Sequence, residues 1–107
     1  MEKVALLIAA GSGMGADAAK KLKSDGFNVA IMSSTTKAKK LSEKLNGIGF
    51  VGSNINSENI KTFVDQVYKK WGRIDVLVNS AGHGPKGDIL KLSDEDWFLG
   101  LEVYFLN

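Results

Sequence analysis

The sequence predicts an α/β fold built on a doubly wound parallel sheet, present as its first half. Three observations predict it. Short apolar runs alternate along the chain with segments of helical periodicity. The first run, Val4–Ala9, is followed at once by Gly11, Gly13 and Gly15 and then by an alanine- and lysine-rich helical segment. A later run, Ile74–Val78, ends in the small-residue stretch Asn79-Ser80-Ala81-Gly82. Strands separated by helices at this spacing require right-handed crossovers and parallel pairing, with strand order 3-2-1-4 and helices flanking the sheet.

Each element has its own local reason. Val4–Ala9 is continuously apolar, as a strand covered on both faces must be. Gly13–Ser24 reads as a helix that stops at Asp25-Gly26, where glycine takes the left-handed cap. Asn28–Met32 is the second strand. Lys37–Asn46 places Ala38, Leu41 and Leu45 on one helical face, and Gly47 ends it. Ile48–Val51 is a short third strand. Ile60, Phe63, Val64, Val67 and Trp71 then follow helical spacing, with Ser57 as N-cap and Gly72 at the far end. Ile74–Val78 is the fourth strand. Gly82–Leu92 is a loop holding the single proline, and Ser93-Asp94-Glu95-Asp96 opens a last helix as a capping box. Trp97, Leu101, Tyr104 and Phe105 form its apolar stripe.

Composition narrows the function classes. The 107 residues make one domain, 1–107, with no linker, repeat or low-complexity tract. A formal charge of +2 points to no polyanionic partner, and the lysines on the first two helices read as solvated faces. No aromatic residues interleave with them, so nucleic acid is not expected as a partner. With no cysteine and one histidine, disulfides and cysteine- or histidine-cluster metal sites are excluded, and no metal is expected. Neither a signal peptide nor a membrane span is visible, which makes a cytoplasmic protein the default expectation.

The glycine turn carries the chemistry. Glycines between a strand and a helix let the backbone bend sharply and let the helix N-terminus approach a pyrophosphate without obstruction by Cβ. That is the context of a dinucleotide-binding loop. The competing reading is a tight turn without a ligand. The end of the second strand reports which dinucleotide. An acid about 20 residues past the turn would hold the 2′-hydroxyl of NAD. Met32-Ser33-Ser34-Thr35-Thr36-Lys37 offers hydroxyls and a lysine instead. NADP(H) is therefore favoured over NAD(H), with Ser33 and Ser34 as candidates.

The glycine turn and the Asn79-Ser80-Ala81-Gly82 stretch together resemble the short-chain dehydrogenase/reductase family, over essentially the whole chain but only the N-terminal part of that family's Rossmann-like fold. The family's turn reads Thr-Gly-x-x-x-Gly-x-Gly. Aligned on Gly13-Met14-Gly15, its threonine falls on Ile8 and its first glycine on Ala9, whose methyl stands where the backbone turns beside the cofactor. The resemblance makes Ala9, Gly11, Ser12, Gly13, Met14 and Gly15 cofactor-binding residues. It adds Asn54 and Ile55, at the place where the family sets an aspartate beside the adenine. Asparagine keeps an acceptor there and adds a donor, or is simply a turn residue. Asn79, Ala81 and Gly82 complete the set at the fourth strand, with Ser80 in place of a second asparagine.

The activity implied is hydride transfer between a nicotinamide and a small-molecule carbonyl or alcohol, in a homo-oligomer. No catalytic residue is assigned within the chain. Tyr104 occupies the place of the family's helix asparagine, with Asn107 one turn on as a partial substitute; Tyr104 otherwise packs. His83 reads as a solvated loop residue. The family's catalytic serine and its Tyr-x-x-x-Lys motif would lie beyond Asn107 in a protein of roughly 250 residues. The 107-residue chain alone is expected to be inactive. Two alternatives stand beside this: a non-enzymatic nucleotide-binding sensor, and an S-adenosylmethionine-dependent methyltransferase, whose glycine motif Gly11-x-Gly13-x-Gly15 also fits.

Overall fold

The computed structural model describes residues 2–80 and 87–103. Four strands and four helices follow in the order β1 (Val4–Ile8), α1 (Gly13–Ser24), β2 (Asn28–Ser33), α2 (Lys37–Lys44), β3 (Ile48–Val51), α3 (Ser57–Trp71), β4 (Val76–Asn79) and α4 (Asp94–Leu101). The sheet is parallel throughout with order β3-β2-β1-β4, as the alternation predicts. β1 lies centrally, with Val4 opposite Asn28 on one side and Ala5 opposite Val76 on the other.

The pleat of β1 divides the core. Ala5 and Leu7 face α1 and α2, packing with Ala16, Ala19, Val29, Ile31, Ala38 and Leu41. Val4, Leu6 and Ile8 face α3, packing with Ala30, Met32, Phe63 and Val67. Alternate residues of one strand thus serve opposite layers, which is why the run has no polar position. Phe63 is fully buried, and its ring stacks on Phe50 with centroids 5.5 Å apart. Burial of a side chain that size contributes about 1.5–3 kcal/mol.

Small departures from the expected boundaries have local causes. The N-cap of α3 is Asn56, whose Oδ1 accepts from the Asn59 amide at 3.1 Å; Ser57 is the first helical residue instead. The left-handed residue after α2 is Asn46 (φ 52°), a residue whose short amide tolerates that region, and not Gly47. Gly47 is needed for another reason. A Cβ there would stand 2.2 Å from the Val29 carbonyl oxygen. β4 begins at Val76, because Asp75 is engaged with the start of β1. Gly26 (φ 94°) and Gly72 (φ 71°) take left-handed conformations after α1 and α3 as expected, and α4 opens with the capping box of Ser93 and Asp96.

Candidate functional site

The carboxyl ends of the strands open onto a cleft of about 570 Å³. It lies where the chain leaves β1 for α1 on one side while β4 flanks β1 on the other, the switch point at which open α/β sheets bind ligands. Backbone bonds carry the strands up to its rim. Ala10 N–H donates to Met32 O (3.1 Å), Gly52 N–H to Ser33 O (2.9 Å) and Ser80 N–H to Ile8 O (2.9 Å).

The glycine turn forms one wall, with Ala9, Gly11, Ser12, Gly13 and Met14 lining the cleft. Its three glycines serve three different needs. Gly13 has φ +61° and nothing near the position of a Cβ, so its open side faces free space. Gly15 lies behind the cleft: a Cβ there would come 2.7 Å from both Cα and Cβ of Ala10 and 3.1 Å from the Ser80 hydroxyl. It lets α1 pack directly on the end of β1. Gly11 packs against the β2–α2 turn, where a Cβ would meet Lys37 Cβ at 2.9 Å and Ser33 Cβ at 3.0 Å.

The N-terminus of α1 is electrically open. Ser12 is its cap in extended conformation but makes no side-chain cap bond, and the first turn holds no acid. Ala16 N–H donates to Ser12 O. The amides of Gly13, Met14 and Gly15 donate to no acceptor among the described residues. The other described helices differ. Asn56 caps α3, Ser93 and three acids close off α4, and Ser33 Oγ accepts from Ala38 N–H at α2. Among the described helices α1 alone has neither a side chain accepting from its first-turn amides nor an acid there, so its orphan amides and the positive end of its dipole are left uncompensated.

The β2–α2 turn forms the opposite wall. Ser33 is buried, its hydroxyl donating to Thr35 O at 2.7 Å while accepting from Ala38 N–H at 3.0 Å. This tightens the turn and sets Ser34, Thr35 and Lys37 along the cleft. Lys37 also lines an adjoining groove of about 370 Å³ between α1 and α2, together with Lys20, Lys40, Lys44 and Asp17. These four lysines are in no ion pair among the described residues, whereas Lys21 and Lys61 pair with Asp25 and Asp65.

Asn54 closes the far end. Ser53 N–H donates to Asn59 Oδ1 (3.0 Å) and Ile55 N–H to Ser53 Oγ (3.3 Å), a turn that places Asn54 on the cleft. Ile55 is exposed and away from the lining. Asn79 sits in register with Ile8 at the end of β4 but outside the cleft wall, while its neighbour Ser80 is on it. Ala81, Gly82, Tyr104 and Asn107 lie outside the described residues. Sequence reasoning did not assign Thr35, Gly52 or Ser80 to the site, and it named Lys37 only as a nearby lysine. Their shared signal is position, since each stands just past the carboxyl end of a strand.

Arg73 and Asp75 pair at the opposite, amino end of β4. The guanidinium of Arg73 and the Val4 amide hold the Asp75 carboxyl below the ordinary carboxylate range, and Asp75 in turn raises Arg73. The role of this pair is to join strands. Among the described residues no group of three or more histidine, cysteine, aspartate or glutamate side chains is placed to hold a metal ion. No described helix is long and apolar enough to cross a membrane.

Comparison with known proteins agrees with this geometry. Residues 3–105 match the model of the short chain dehydrogenase family. A 3-oxoacyl-[acyl-carrier-protein] reductase of Haemophilus influenzae is 33% identical over 99 residues, covering 90% of this chain and 41% of that protein. A variant of the actinorhodin polyketide ketoreductase with NADPH superposes with a TM-score of 0.87 at 28% identity, over 95% of this chain and 41% of the other. The 3-ketoacyl-(acyl-carrier-protein) reductase of Brucella melitensis, complexed with NADH, gives 0.84 at 25% identity over 94% and 43%. The chain thus spans about two fifths of the length of the relatives it matches. A four-stranded parallel sheet with the turn at its switch point and a family match along nearly all its length have one reading: this chain belongs to the short chain dehydrogenase family.

Proposed function

We propose that the cleft holds the adenosine and pyrophosphate of NADP(H), and that the protein transfers hydride between that cofactor and a carbonyl or alcohol. The observation that carries the reading is the open N-terminus of α1, where the amides of Gly13, Met14 and Gly15 lack acceptors among the described residues, beside the free space at Gly13. A pyrophosphate supplies the missing acceptors and the missing negative charge together. The relatives described with NADPH and with NADH support a nicotinamide cofactor.

The preference for the phosphorylated form follows from the opposite wall. Ser34, Thr35 and Lys37 line it, and the stretch Ser33–Lys37 holds no acid to accept from a ribose 2′-hydroxyl. Lys37, with Lys40 and Lys44 beyond it, gives a 2′-phosphate a positive neighbourhood. When bound, the nicotinamide supplies the hydride chemistry, and the protein orients it. Asn54 offers the adenine an acceptor. The carbonyl or alcohol substrate is assigned from family membership, and the residues described here hold cofactor.

Isothermal titration of the intact protein with NADPH and with NADH tests the reading. NADPH is expected to bind at least about tenfold tighter, and Lys37→Gln to remove most of that difference, the weight of one charge-assisted hydrogen bond. Absence of binding by either nucleotide refutes the proposal. Equal affinities that Lys37→Gln leaves unchanged refute the NADP preference alone.

A further inference from the structure

Asn54 makes a bond that an aspartate in its place could not. Its Nδ2 donates to the backbone carbonyl of Val103 at 2.9 Å, across 49 residues of sequence. A carbonyl oxygen only accepts, so the atom facing it has to be a donor, and an ionised carboxylate has none. The same side chain lines the cleft. Its Oδ1 accepts from no group among the described residues and is left for a ligand.

The other end of the bond matters because of how α4 is held. No residue of α4 is buried, and Trp97, Phe98 and Leu101 are all exposed. Beyond Leu101 the backbone continues through Glu102 and Val103 as a widened, π-type turn, a geometry frequent at functional sites. Val103 is the buried residue of this segment, at 8% exposure. Among the described residues, the end of α4 is held by the packed Val103 side chain and by hydrogen bonding at its backbone, in which Asn54 takes part.

We infer that Asn54 is a positioning residue that couples occupancy of the nucleotide cleft to the end of α4. A ligand donor held at Oδ1 orients the amide plane, and the rigid plane fixes Nδ2 on Val103 O. Hydrogen bonds arranged in series through one amide also polarise one another. Order in the cleft becomes order at residues 99–103. The inference rests on the nucleotide reading of the cleft and goes beyond it, because it gives the adenine end a reach into a helix that does not line the cleft.

Amide hydrogen exchange of the intact protein, read at residues 99–103 and at the α3 core residues Phe63–Val67, tests it. Without nucleotide, Asn54→Asp is expected to speed exchange at 99–103 about fivefold, the weight of one ordinary hydrogen bond. Phe63–Val67 should remain unchanged, which separates a lost anchor from general destabilisation. With saturating NADPH, wild-type exchange at 99–103 is expected to slow by about fivefold or more, the lower end of ordinary coupling energies. The response should vanish in Asn54→Asp and in Asn54→Ala. NADPH that binds wild type without slowing 99–103 overturns the coupling and leaves the nucleotide reading intact, as does an undiminished response in both variants. NADPH that does not bind at all overturns both.

Discussion

Gly15 and Ala10 approach so closely that a Cβ added to Gly15 would stand 2.7 Å from the Ala10 Cα. The contact is between the first turn of α1 and the backbone just past β1, and it sets how near the open helix end comes to the strands. Backbone cannot rotate aside as a side chain can. Gly15→Ala is therefore expected to push α1 outward and cost about 1–3 kcal/mol, the range of overpacking in a fitted core. Urea unfolding checks this, and a loss within about 0.5 kcal/mol, the ordinary surface range, would mean that the helix end is adjustable.

Ala9 holds φ 59° where the family's turn has glycine. Left-handed backbone costs an L-residue about 1–2 kcal/mol, because Cβ crowds the following carbonyl oxygen. Glycine escapes that cost and loses some of the gain through the greater freedom of its unfolded chain. Ala9→Gly is expected to stabilise the fold by about 0.5–1 kcal/mol. It also removes a methyl from the cleft wall, so nucleotide affinity should rise in the same variant. Tighter binding with no gain in stability would assign the alanine a steric effect only.

These two residues show what the sequence made legible. The order of elements, the strand order and the position of the glycine turn all follow from periodicity and spacing, which neighbouring residues reinforce. Choices between adjacent candidates do not. Asn56 and Ser57 are both good caps with an amide three residues on to bond, and the backbone of the folded chain chooses Asn56 by holding it extended while Ser57 is already helical. Asn54 and Ile55 are neighbours with equal standing in the sequence, and in the turn held by the Ser53–Asn59 bond Asn54 lines the cleft while Ile55 is exposed away from it. Lys37 reaches the glycine turn because Gly11 has no Cβ to hold the β2–α2 turn away, a relation between residues 26 positions apart. The Asn54–Val103 bond spans two helices and a strand and leaves no local trace.

Asp75 gives the fold an acid-sensitive joint. Its Oδ2 accepts from Val4 N–H and from Arg73 Nε, each at 2.8 Å, and its own amide donates to Val4 O at 2.8 Å. The carboxylate thereby fastens β4 to the first residue of β1. The Arg73 hydrogen bonds, followed by the Val4 amide, lower its pKa in the fold. A depressed native pKa means that the unfolded state binds more protons over the interval below about 3.9, the unfolded value. The stabilisation is present above that pH and is lost as pH falls through the native pKa. Asp75→Asn should therefore be less stable than wild type at neutral pH, and the difference should shrink under strong acid. A gap that stays constant from neutral to acid pH would show that the ionised form is not what joins the strands.

β4 stands at the edge of the sheet. β1 pairs with one side of the strand, and no described residue pairs with the other. Leu77 is 61% exposed, unlike the buried strand residues of β1. An unpaired apolar edge in a parallel sheet is a template for another chain, and it carries no charge, proline or bulge to block pairing. A polypeptide of these 107 residues expressed by itself is therefore expected to self-associate. Sedimentation velocity over a concentration series should show dimers or larger species. Leu77→Lys should return the polypeptide towards monomer, because a lysine on the edge must be desolvated for strands to meet. A single monomeric species at every concentration would show that the edge is already protected, and a variant that associates as strongly as wild type would move the contact to the exposed apolar residues of α4.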